Sequence, residues 1–504
     1  MSTKDNFIDH IDTGYATKGD YIIMGSAMYE GETVTDAYVK IPLKTLNRHG
    51  LIAGATGTGK TKTLQVLAEN LSDKGIPVLL MDLKGDLSGI AQPSAGHAKI
   101  DERHAKIGVP FEAKSFPIEI LSLSDQDGVR LRATVSEFGP VLLSRILDLS
   151  ETQSGIVAVV FKYCDDNKMP LLDLKDFKKV LQYATEEGKE EFQEAYGRIS
   201  TASTGSILRK IIELEQQGAD LFFGETSFDV NDLTRIDKDG RGYINIIRLT
   251  DIQDKPKLFS TFMLSLLAEI YETFPEQGDS GRPELVLFID EAHLIFNEAS
   301  KALIHQIESI VKLIRSKGIG LYFVTQNPTD VPEAVLGQLG LKIQHALRAF
   351  TAKDRKAIKL TAENYPDSDY YDTAEVLTSL GIGEALISAL DEKGRPTPLA
   401  ATMLRAPMSR MDVLTPSELE EVIDNSKLVK KYNEVIDRES AYEMLIEKIE
   451  IAEKLQEKED AAEEKAKASR SSSRTSTRQN PIIKVLTSAT FIRSFLGILK
   501  KVIK

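Results

Sequence analysis

Eight consecutive residues, Gly54–Thr61, constrain the fold of this 504-residue chain more than any other segment. Their sequence, GATGTGKT, matches the pattern G-x-x-x-x-G-K-[ST], in which glycines let several backbone N–H groups point at one phosphate. The apolar run Leu51–Ala53 precedes the loop, and apolar residues at helical spacing follow it as far as Gly75. With a second apolar run at Val78–Asp82, this order predicts a strand–loop–helix–strand unit of a parallel sheet.

The loop predicts that the chain binds ATP together with Mg²⁺. Lys60 would place a cation on the β- and γ-phosphates, and Thr61 would offer its hydroxyl to the metal ion. The predicted nucleotide-binding residues are Gly54, Ala55, Thr56, Gly57, Thr58, Gly59, Lys60, Thr61 and Thr63.

A second motif, Asp290-Glu291, follows five apolar residues at Leu285–Ile289. Such a run predicts a buried strand, and open α/β sheets bind ligands at the carboxyl ends of their strands. Asp290 is therefore expected to hold Mg²⁺, directly or through water, and Glu291 to polarise the attacking water. Alone, the pair would also fit a solvated turn, but its combination with the phosphate loop favours the catalytic role.

Two other loops leave their roles open. Gln326 follows the predicted strand Leu321–Thr325 and is placed to sense the γ-phosphate or orient water. However, Asn327-Pro328 also begins ordinary turns, and spacing alone favours the turn. Asp82 and Lys84, after the second strand, either face the nucleotide or are simple loop charges.

Composition and charge exclude several classes of protein. A single cysteine, Cys164, excludes an internal disulfide framework and favours a reducing, cytoplasmic location. The polar N-terminus does not have the pattern of a secretory signal, and no apolar run is long enough to span a bilayer. The net charge of −13 gives no overall nucleic-acid signature, although a basic channel within an assembly needs only a few local Lys and Arg residues.

The pattern along the chain predicts an α/β core interrupted by helices. The predicted segments are a small N-terminal β element (1–45), the core (46–124 and 241–408), a helical insertion (125–240), a charged helical arm (409–469), a flexible linker (470–479) and a basic amphipathic tail helix (480–504).

The tail helix has three candidate partners. From Arg470 to Lys504 the chain carries eight basic residues and no acidic ones, and apolar and polar positions fall on opposite helix faces. Such a helix suits an anionic membrane surface, a neighbouring subunit or nucleic acid. Docking on a neighbouring subunit or on its own domain is the favoured interpretation, and the membrane alternative would make the protein peripheral to a membrane.

Four motifs, GATGTGKT, MDLKGDL, FIDEAH and VTQNP, together resemble the HerA/FtsK superfamily of hexameric ATPases. The longer segments NRHGLIAGATGTGKT, LIRSKGIGLYFVTQNPTDVPEAVLGQLG and IQHALRAFTAKDRKA more closely resemble the bacterial HerA-like ATPases of the YjgR type. The similarity runs from about Asn47 to about Leu445.

The resemblance implies a RecA-like P-loop NTPase core of the ASCE type, with a mainly parallel sheet sandwiched by helices, assembled as a hexameric ring. It implies that Glu291 is the catalytic acid and Gln326 the polar sensor, and that an arginine from the neighbouring subunit completes the site. The candidates are Arg348, Arg315 and Arg355. Arg348 is preferred because it lies just past a predicted core strand.

The expected function is Mg²⁺-dependent ATP hydrolysis that drives DNA translocation or unwinding by a ring of identical subunits. A protein-moving ATPase and an ATP-controlled scaffold without helicase activity remain alternatives, because ring motors share the same site motifs. A nuclease partner is less expected. HerA docks its nuclease on an N-terminal β-barrel, and only about 45 residues precede the core here.

Overall fold

The computed structural model describes residues 3–471 apart from residues 279, 299–300, 435 and 437. The described strands are β1 (Tyr21–Tyr29), β2 (Glu32–Pro42), β3 (Gly50–Ala53), β4 (Val78–Asp82), β5 (Ile118–Ser122), β6 (Val129–Arg130), β7 (Ile244–Arg248), β8 (Leu285–Ile289), β9 (Ile319–Thr325), β10 (Leu341–Gln344), β11 (Glu384–Ser388) and β12 (Ala400–Leu404). The described helices are α1 (Thr3–Gly14), α2 (Lys60–Asp73), α3 (Ala98–Ile107), α4 (Val135–Ile146), α5 (Glu151–Asn167), α6 (Leu174–Tyr183), α7 (Lys189–Ala195), α8 (Thr201–Glu215), α9 (Pro256–Thr273), α10 (Ala292–Glu298), α11 (Lys301–Leu313), α12 (Glu333–Leu336), α13 (Ala352–Glu363), α14 (Thr373–Ser379), α15 (Pro416–Asp424), α16 (Lys427–Tyr432) and α17 (Ala441–Ser471).

The described strands form one sheet in the order β2-β1-β12-β11-β10-β3-β9-β8-β4-β7-β5-β6. The strands from β10 to β6 in this order run parallel. The strands on the other side, β11, β12, β1 and β2, are added antiparallel. The predicted α/β class with a mainly parallel sheet is confirmed. Parallel strands bring their carboxyl ends to one edge, so the phosphate loop after β3 and the acidic pair after β8 share that edge.

The central strands are buried on both faces. Every residue of β4, β8 and β9 is buried, and their sequences are almost entirely apolar. Continuous apolar runs are expected where a parallel strand is covered on both sides, and each large apolar side chain buried there contributes about 1.5–3 kcal/mol. The strands that present the site are therefore held firmly in the core.

The N-terminal segment is continuous with this sheet. β1 pairs antiparallel with β12, and β11 and β12 form a hairpin around the turn at Asp391–Arg395. α1 was not predicted from the sequence, because it is short and mostly polar. Its apolar residues Phe7 and Ile11 are completely buried and pack α1 onto the core.

Helices α4–α8 occupy the segment predicted as a helical insertion. α4 begins with a capping box in which Thr134 and Glu137 exchange hydrogen bonds, and α5 begins in the same way at Ser150 and Gln153. The described residues up to Leu445 form one compact unit, so these helices pack as part of it. The boundaries predicted for the insertion remain a prediction.

The charged arm predicted at 409–469 contains α15, α16 and α17. The described residues from Ile446 onward form a second unit, in which α17 continues to Ser471. Within the described part of the chain, no helix combines the length and the apolar character needed to cross a bilayer. The predicted linker beyond Ser471 and the tail helix 480–504 lie outside the described residues.

The buried side chain of His49 makes the stability of the fold depend on pH. Its Nε2 atom donates to the Val311 carbonyl at 2.7 Å, and its Nδ1 atom accepts from the Leu321 N–H at 3.0 Å. This arrangement needs a neutral ring. Burial, helped by the charge of Arg315, lowers the pKa of His49 to about 4, although the bond to Val311 acts in the opposite direction.

We therefore expect the free energy of unfolding to fall as pH drops below about 6.5, the pKa of an unfolded histidine. In that range the unfolded chain binds a proton that folded His49 does not, which costs about 1.4 kcal/mol per pH unit until the folded pKa is reached. Urea unfolding of the wild-type chain and of His49→Gln between about pH 7 and pH 5 measures how much His49 contributes to this loss of stability. The free energy of unfolding should depend less steeply on pH in the variant than in the wild type, by the contribution of about one proton. Equal slopes would contradict the prediction.

Candidate active site

His345 forms the floor of the phosphate loop. At Gly54 the backbone φ is +151°, and a Cβ added there would lie 2.5 Å from the Cβ of His345, so the close approach requires glycine. The Nε2 atom of His345 lies 2.9 Å from the hydroxyl of Thr63, which is also buried. Burial, followed by the charge of Lys60, lowers the pKa of His345 to about 4. His345 was not predicted as a site residue, and it directly follows β10 in the structure.

Backbone hydrogen bonds hold the loop from two sides. The N–H of Ala55 donates to the carbonyl of Ala346 at 2.8 Å, and the N–H of Gly383 donates to the carbonyl of Thr58 at 3.0 Å. The guanidinium of Arg103 in turn donates to the carbonyl of Gly383 at 3.0 Å. The loop is therefore preformed for binding and does not need to be ordered by a ligand.

Lys60 lies across the mouth of the loop. Its Nζ atom donates to the carbonyls of Gly54 at 2.7 Å and Ala55 at 3.2 Å. Burial, followed by the charge of Lys84, lowers the pKa of Lys60. A phosphate oxygen is a stronger acceptor for an ammonium group than a neutral carbonyl, so a phosphate in the loop would draw Lys60 to itself.

The strand register brings the other predicted residues to this loop. Ala53, the last residue of β3, lies opposite Thr325 of β9, and β9 pairs on its other side with β8. Asp290 and Gln326 therefore follow neighbouring strand ends at the edge that carries the loop.

Asp290 has the properties of a metal ligand. Its side chain is buried, Oδ1 accepts the N–H of Glu291 at 2.9 Å, and Oδ2 has no hydrogen-bond partner among the described residues. Burial raises the pKa of Asp290 to about 7, against the opposing charge of Lys84. A buried carboxylate oxygen without a partner is costly, and a divalent cation held by Asp290 and the Thr61 hydroxyl would supply the missing charge. These two residues fit Mg²⁺.

Glu291 is held in an unusual backbone conformation beside Asp290. Its φ is +46°, in the left-handed region that non-glycine residues adopt mainly where the surrounding structure enforces it. Its Oε1 atom forms an ion pair with Lys84, and its Oε2 atom lies 3.2 Å from Nδ1 of His293. Burial opposes ionisation, but the hydrogen bond and charge of Lys84 outweigh it, so the pKa of Glu291 lies below its usual range. The carboxylate is ionised at neutral pH, as a proton acceptor must be.

The loop after β4 divides its charges between two tasks. The carboxylate of Asp82 accepts the backbone N–H groups of Gly85 at 2.7 Å and Leu87 at 3.2 Å, so it shapes the loop. Lys84 instead reaches Glu291 in the site. The sequence left open whether Asp82 and Lys84 face the nucleotide or are simple loop charges. In the structure, Asp82 bonds within its own loop and Lys84 contacts Glu291.

Gln326 lies next to the turn that the sequence offered as one of its two interpretations. Asn327 caps the short turn Pro328–Asp330, so the turn exists. Gln326 itself is exposed at the end of β9, between the loop and Asp290. The role of Gln326 as a polar sensor stays a prediction.

The three candidate arginines lie at different edges of the sheet. Arg348 and Arg355 are exposed after β10, at the edge that carries the loop. Arg315 is exposed in the turn that precedes β9, at the opposite edge. There it lines a cleft of about 470 Å³ with three other basic side chains, which we call the basic cleft: Lys44, Arg48 and Lys312.

Comparison with protein families places the chain in a known group. The family model described as Helicase HerA-like C-terminal matches residues 28–492. The DNA double-strand break repair helicase HerA of Sulfolobus acidocaldarius is 23% identical over 365 residues, which cover 69% of this chain and 64% of that protein. The protein of the same name from Saccharolobus solfataricus is 26% identical over 354 residues, which cover 69% of this chain and 63% of that protein. The chain thus spans slightly less than two thirds of either relative.

Among solved structures, the bacterial conjugative coupling protein TrwBΔN70 is similar with a TM-score of 0.51. The similarity covers 81% of this chain and 94% of that protein at 16% sequence identity, which supports the shared fold.

Proposed function

The chain belongs to the helicase HerA-like C-terminal family, and from this premise we propose that it is a Mg²⁺-dependent ATPase whose hydrolysis drives movement of DNA. One observation carries the proposal. A preformed phosphate loop meets, at a single sheet edge, the buried Asp290, whose Oδ2 atom has no hydrogen-bond partner among the described residues, and the ionised carboxylate of Glu291.

Each residue of the site has a task in the attack of water on the γ-phosphate. Lys60 would exchange its carbonyl partners for the β- and γ-phosphate oxygens and stabilise the developing charge. Mg²⁺ held by Thr61 and Asp290 would neutralise charge on the same phosphates. Glu291 would take the proton of the attacking water on Oε2, which makes no hydrogen bond within the described residues, while Lys84 holds Oε1. Gln326 would orient the water.

An arginine from a neighbouring subunit would complete the charge stabilisation. A ring closes by joining two different surfaces of neighbouring subunits, so this arginine should come from a surface other than the edge that carries the subunit's own loop. Arg315 in the basic cleft meets that condition. Its position supports it ahead of Arg348, which the sequence favoured, and of Arg355.

The proposed substrate is DNA. The proposed assembly is a homo-oligomeric ring, and the resemblance to the HerA/FtsK superfamily implies that this ring is a hexamer. The names of both HerA relatives describe DNA repair helicases, and this supports a DNA-directed role for the family core. A protein-moving ATPase and an ATP-controlled scaffold have the same site and are the alternatives. The nuclease partner and the contacts of the tail helix remain predictions.

The response of ATP turnover to DNA separates these functions. We expect turnover at low salt to rise several-fold when double-stranded DNA is added, and this stimulation to weaken as salt rises, because phosphate contacts release counterions. Poly-glutamate at equal charge concentration is the control for a nonspecific polyanion effect. If single-stranded and double-stranded DNA both leave turnover unchanged, the proposed ATPase activity is retained and the proposed movement of DNA is contradicted.

A further inference from the structure

We propose that the exposed face of α13, together with Arg348 in the segment before it, binds the phosphate backbone of DNA. The inference rests on the proposed movement of DNA and names the surface that would contact it. We call this surface the basic face, and it consists of Arg348, Lys353, Arg355, Lys356 and Lys359.

Helical spacing gathers the charges of α13 on one side of the helix. Lys353, Lys356 and Lys359 follow one another at steps of three residues, and Arg355 lies four residues before Lys359. Residues three or four apart are neighbours on a helix surface, so these side chains form one patch. All members of the basic face are exposed, whereas Ile358 on the other side of α13 is buried.

The positive charge of the basic face is not neutralised by its surroundings. Like charges at these helical spacings repel each other. None of the five side chains forms an ion pair with any residue that the structure describes, including the acidic residues of the segment after α13. Asp354 is the one acidic residue between Arg348 and Lys359, and its Oδ2 atom accepts the N–H groups of Phe350 at 3.0 Å and Thr351 at 2.7 Å. A bound polyanion would supply the missing negative charge.

The basic face is joined to the phosphate loop along the chain and through the core. Arg348 lies two residues after Ala346, whose carbonyl accepts the N–H of Ala55 at 2.8 Å. Ala346 and Leu347 belong to the same hydrophobic cluster as Ile358 of α13. A ligand on the basic face is therefore linked by short packed connections to the loop that would hold ATP.

Charge and dimensions fit the backbone of DNA. The chain as a whole is acidic, with 76 acidic and 63 basic residues, so contact with DNA requires a local basic surface. Lys353 and Lys359 are about 9 Å apart along the helix axis. One DNA strand presents a phosphate about every 3.4 Å along the duplex, so this length matches two or three phosphates. The basic cleft is also positively charged, but the role proposed for Arg315 commits it to the nucleotide of a neighbouring subunit.

Binding of a fluorescently labelled DNA duplex to the full chain, measured by anisotropy at several salt concentrations, tests the proposal. Lys356→Gln combined with Lys359→Gln should weaken binding at least about tenfold at low salt. It should also reduce the slope of log K against log salt by about two, because each phosphate contact contributes about 0.9. Glutamine forms helices about as well as lysine, so α13 should be retained. Arg348 and Arg355 stay unchanged because they are candidates for the arginine that completes the ATP site.

Lys356→Glu combined with Lys359→Glu should weaken DNA binding further, because it reverses the two charges. Lys427→Gln combined with Lys430→Gln is the matched control. These two lysines are exposed on α16 at the same spacing of three residues, and α15 just before them contains four acidic residues. The control should change neither the affinity nor the salt slope. Thermal unfolding of each variant verifies the fold.

Several outcomes would overturn the proposal. If the wild type and the Lys356→Gln, Lys359→Gln variant bind DNA with equal affinity and equal salt slope, another surface contacts DNA and the proposed movement of DNA is unaffected. If the control weakens binding as much, the effect reflects overall charge. If poly-glutamate at equal charge concentration displaces the duplex as well as unlabelled DNA does, the face accepts any polyanion. If the variant changes sedimentation and not DNA affinity, the face is a contact between subunits. If the wild type binds no DNA, the proposed movement of DNA itself fails.

Discussion

Replacing Glu291 with glutamine is expected to lower ATP turnover by about 10²–10⁴-fold, the contribution typical of a positioned general base. The amide keeps the size and shape of the carboxylate, so the backbone conformation at this position and the phosphate loop are retained. It cannot accept the proton of the attacking water, and it presents a neutral group to Lys84. ATP binding should therefore persist while phosphate release is lost.

Steady-state phosphate release and calorimetric ATP binding measure the two halves of this prediction. Glu112→Gln is the matched control, since Glu112 is an exposed glutamate paired with Lys114 and should leave both quantities unchanged. Thermal unfolding of each variant shows whether loss of charge beside Lys84 has altered the fold. Wild-type turnover in Glu291→Gln would overturn the assigned mechanism.

Arg315→Ala is expected to lower turnover by about 10³-fold or more in the assembled protein, with ATP affinity changed much less. Arginines that contact the transferred phosphoryl group contribute about 10³–10⁵ to turnover because they neutralise charge that develops only in the transition state. Arg198→Ala, at an exposed position in the helical insertion, is the control. If Arg348→Ala loses turnover and Arg315→Ala does not, the preference drawn from sequence alone is the correct one.

Mixed assemblies distinguish an arginine that acts across subunits from one that acts within its own subunit. Neither Glu291→Gln nor Arg315→Ala protein should turn over ATP alone. In a mixed ring, a site built from the Glu291 of an Arg315→Ala subunit and the Arg315 of a Glu291→Gln subunit is intact, so turnover should partly recover. Failure of the mixture to recover, with co-assembly verified by sedimentation, would place the action of Arg315 within its own subunit.

The active site shows which inferences short sequence segments can support. The phosphate loop, Asp290 and Glu291 were predicted because each lies next to an apolar strand whose end defines its position in the fold. For Gln326 the sequence left two roles. The structure contains the turn, which Asn327 caps, and leaves Gln326 exposed at the strand end, so the sensor role stays a prediction. α1 was missed because its short and mostly polar sequence carries only two buried apolar residues.

The sequence by itself determined which residues make up the candidate site, because the glycine-rich loop with Lys60 and the strand that ends in Asp290-Glu291 each consist of contiguous residues. Tertiary structure alone decided which distant side chains lie beside these residues. The pairing of β4 with β8 brings Lys84 to Glu291, and the pairing of β10 with β3 places His345 under Gly54. Hydrogen bonds and ion pairs between residues far apart in the chain depend on strand order and register. A local pattern does not encode that order, because it specifies how a segment folds and not which segment becomes its neighbour.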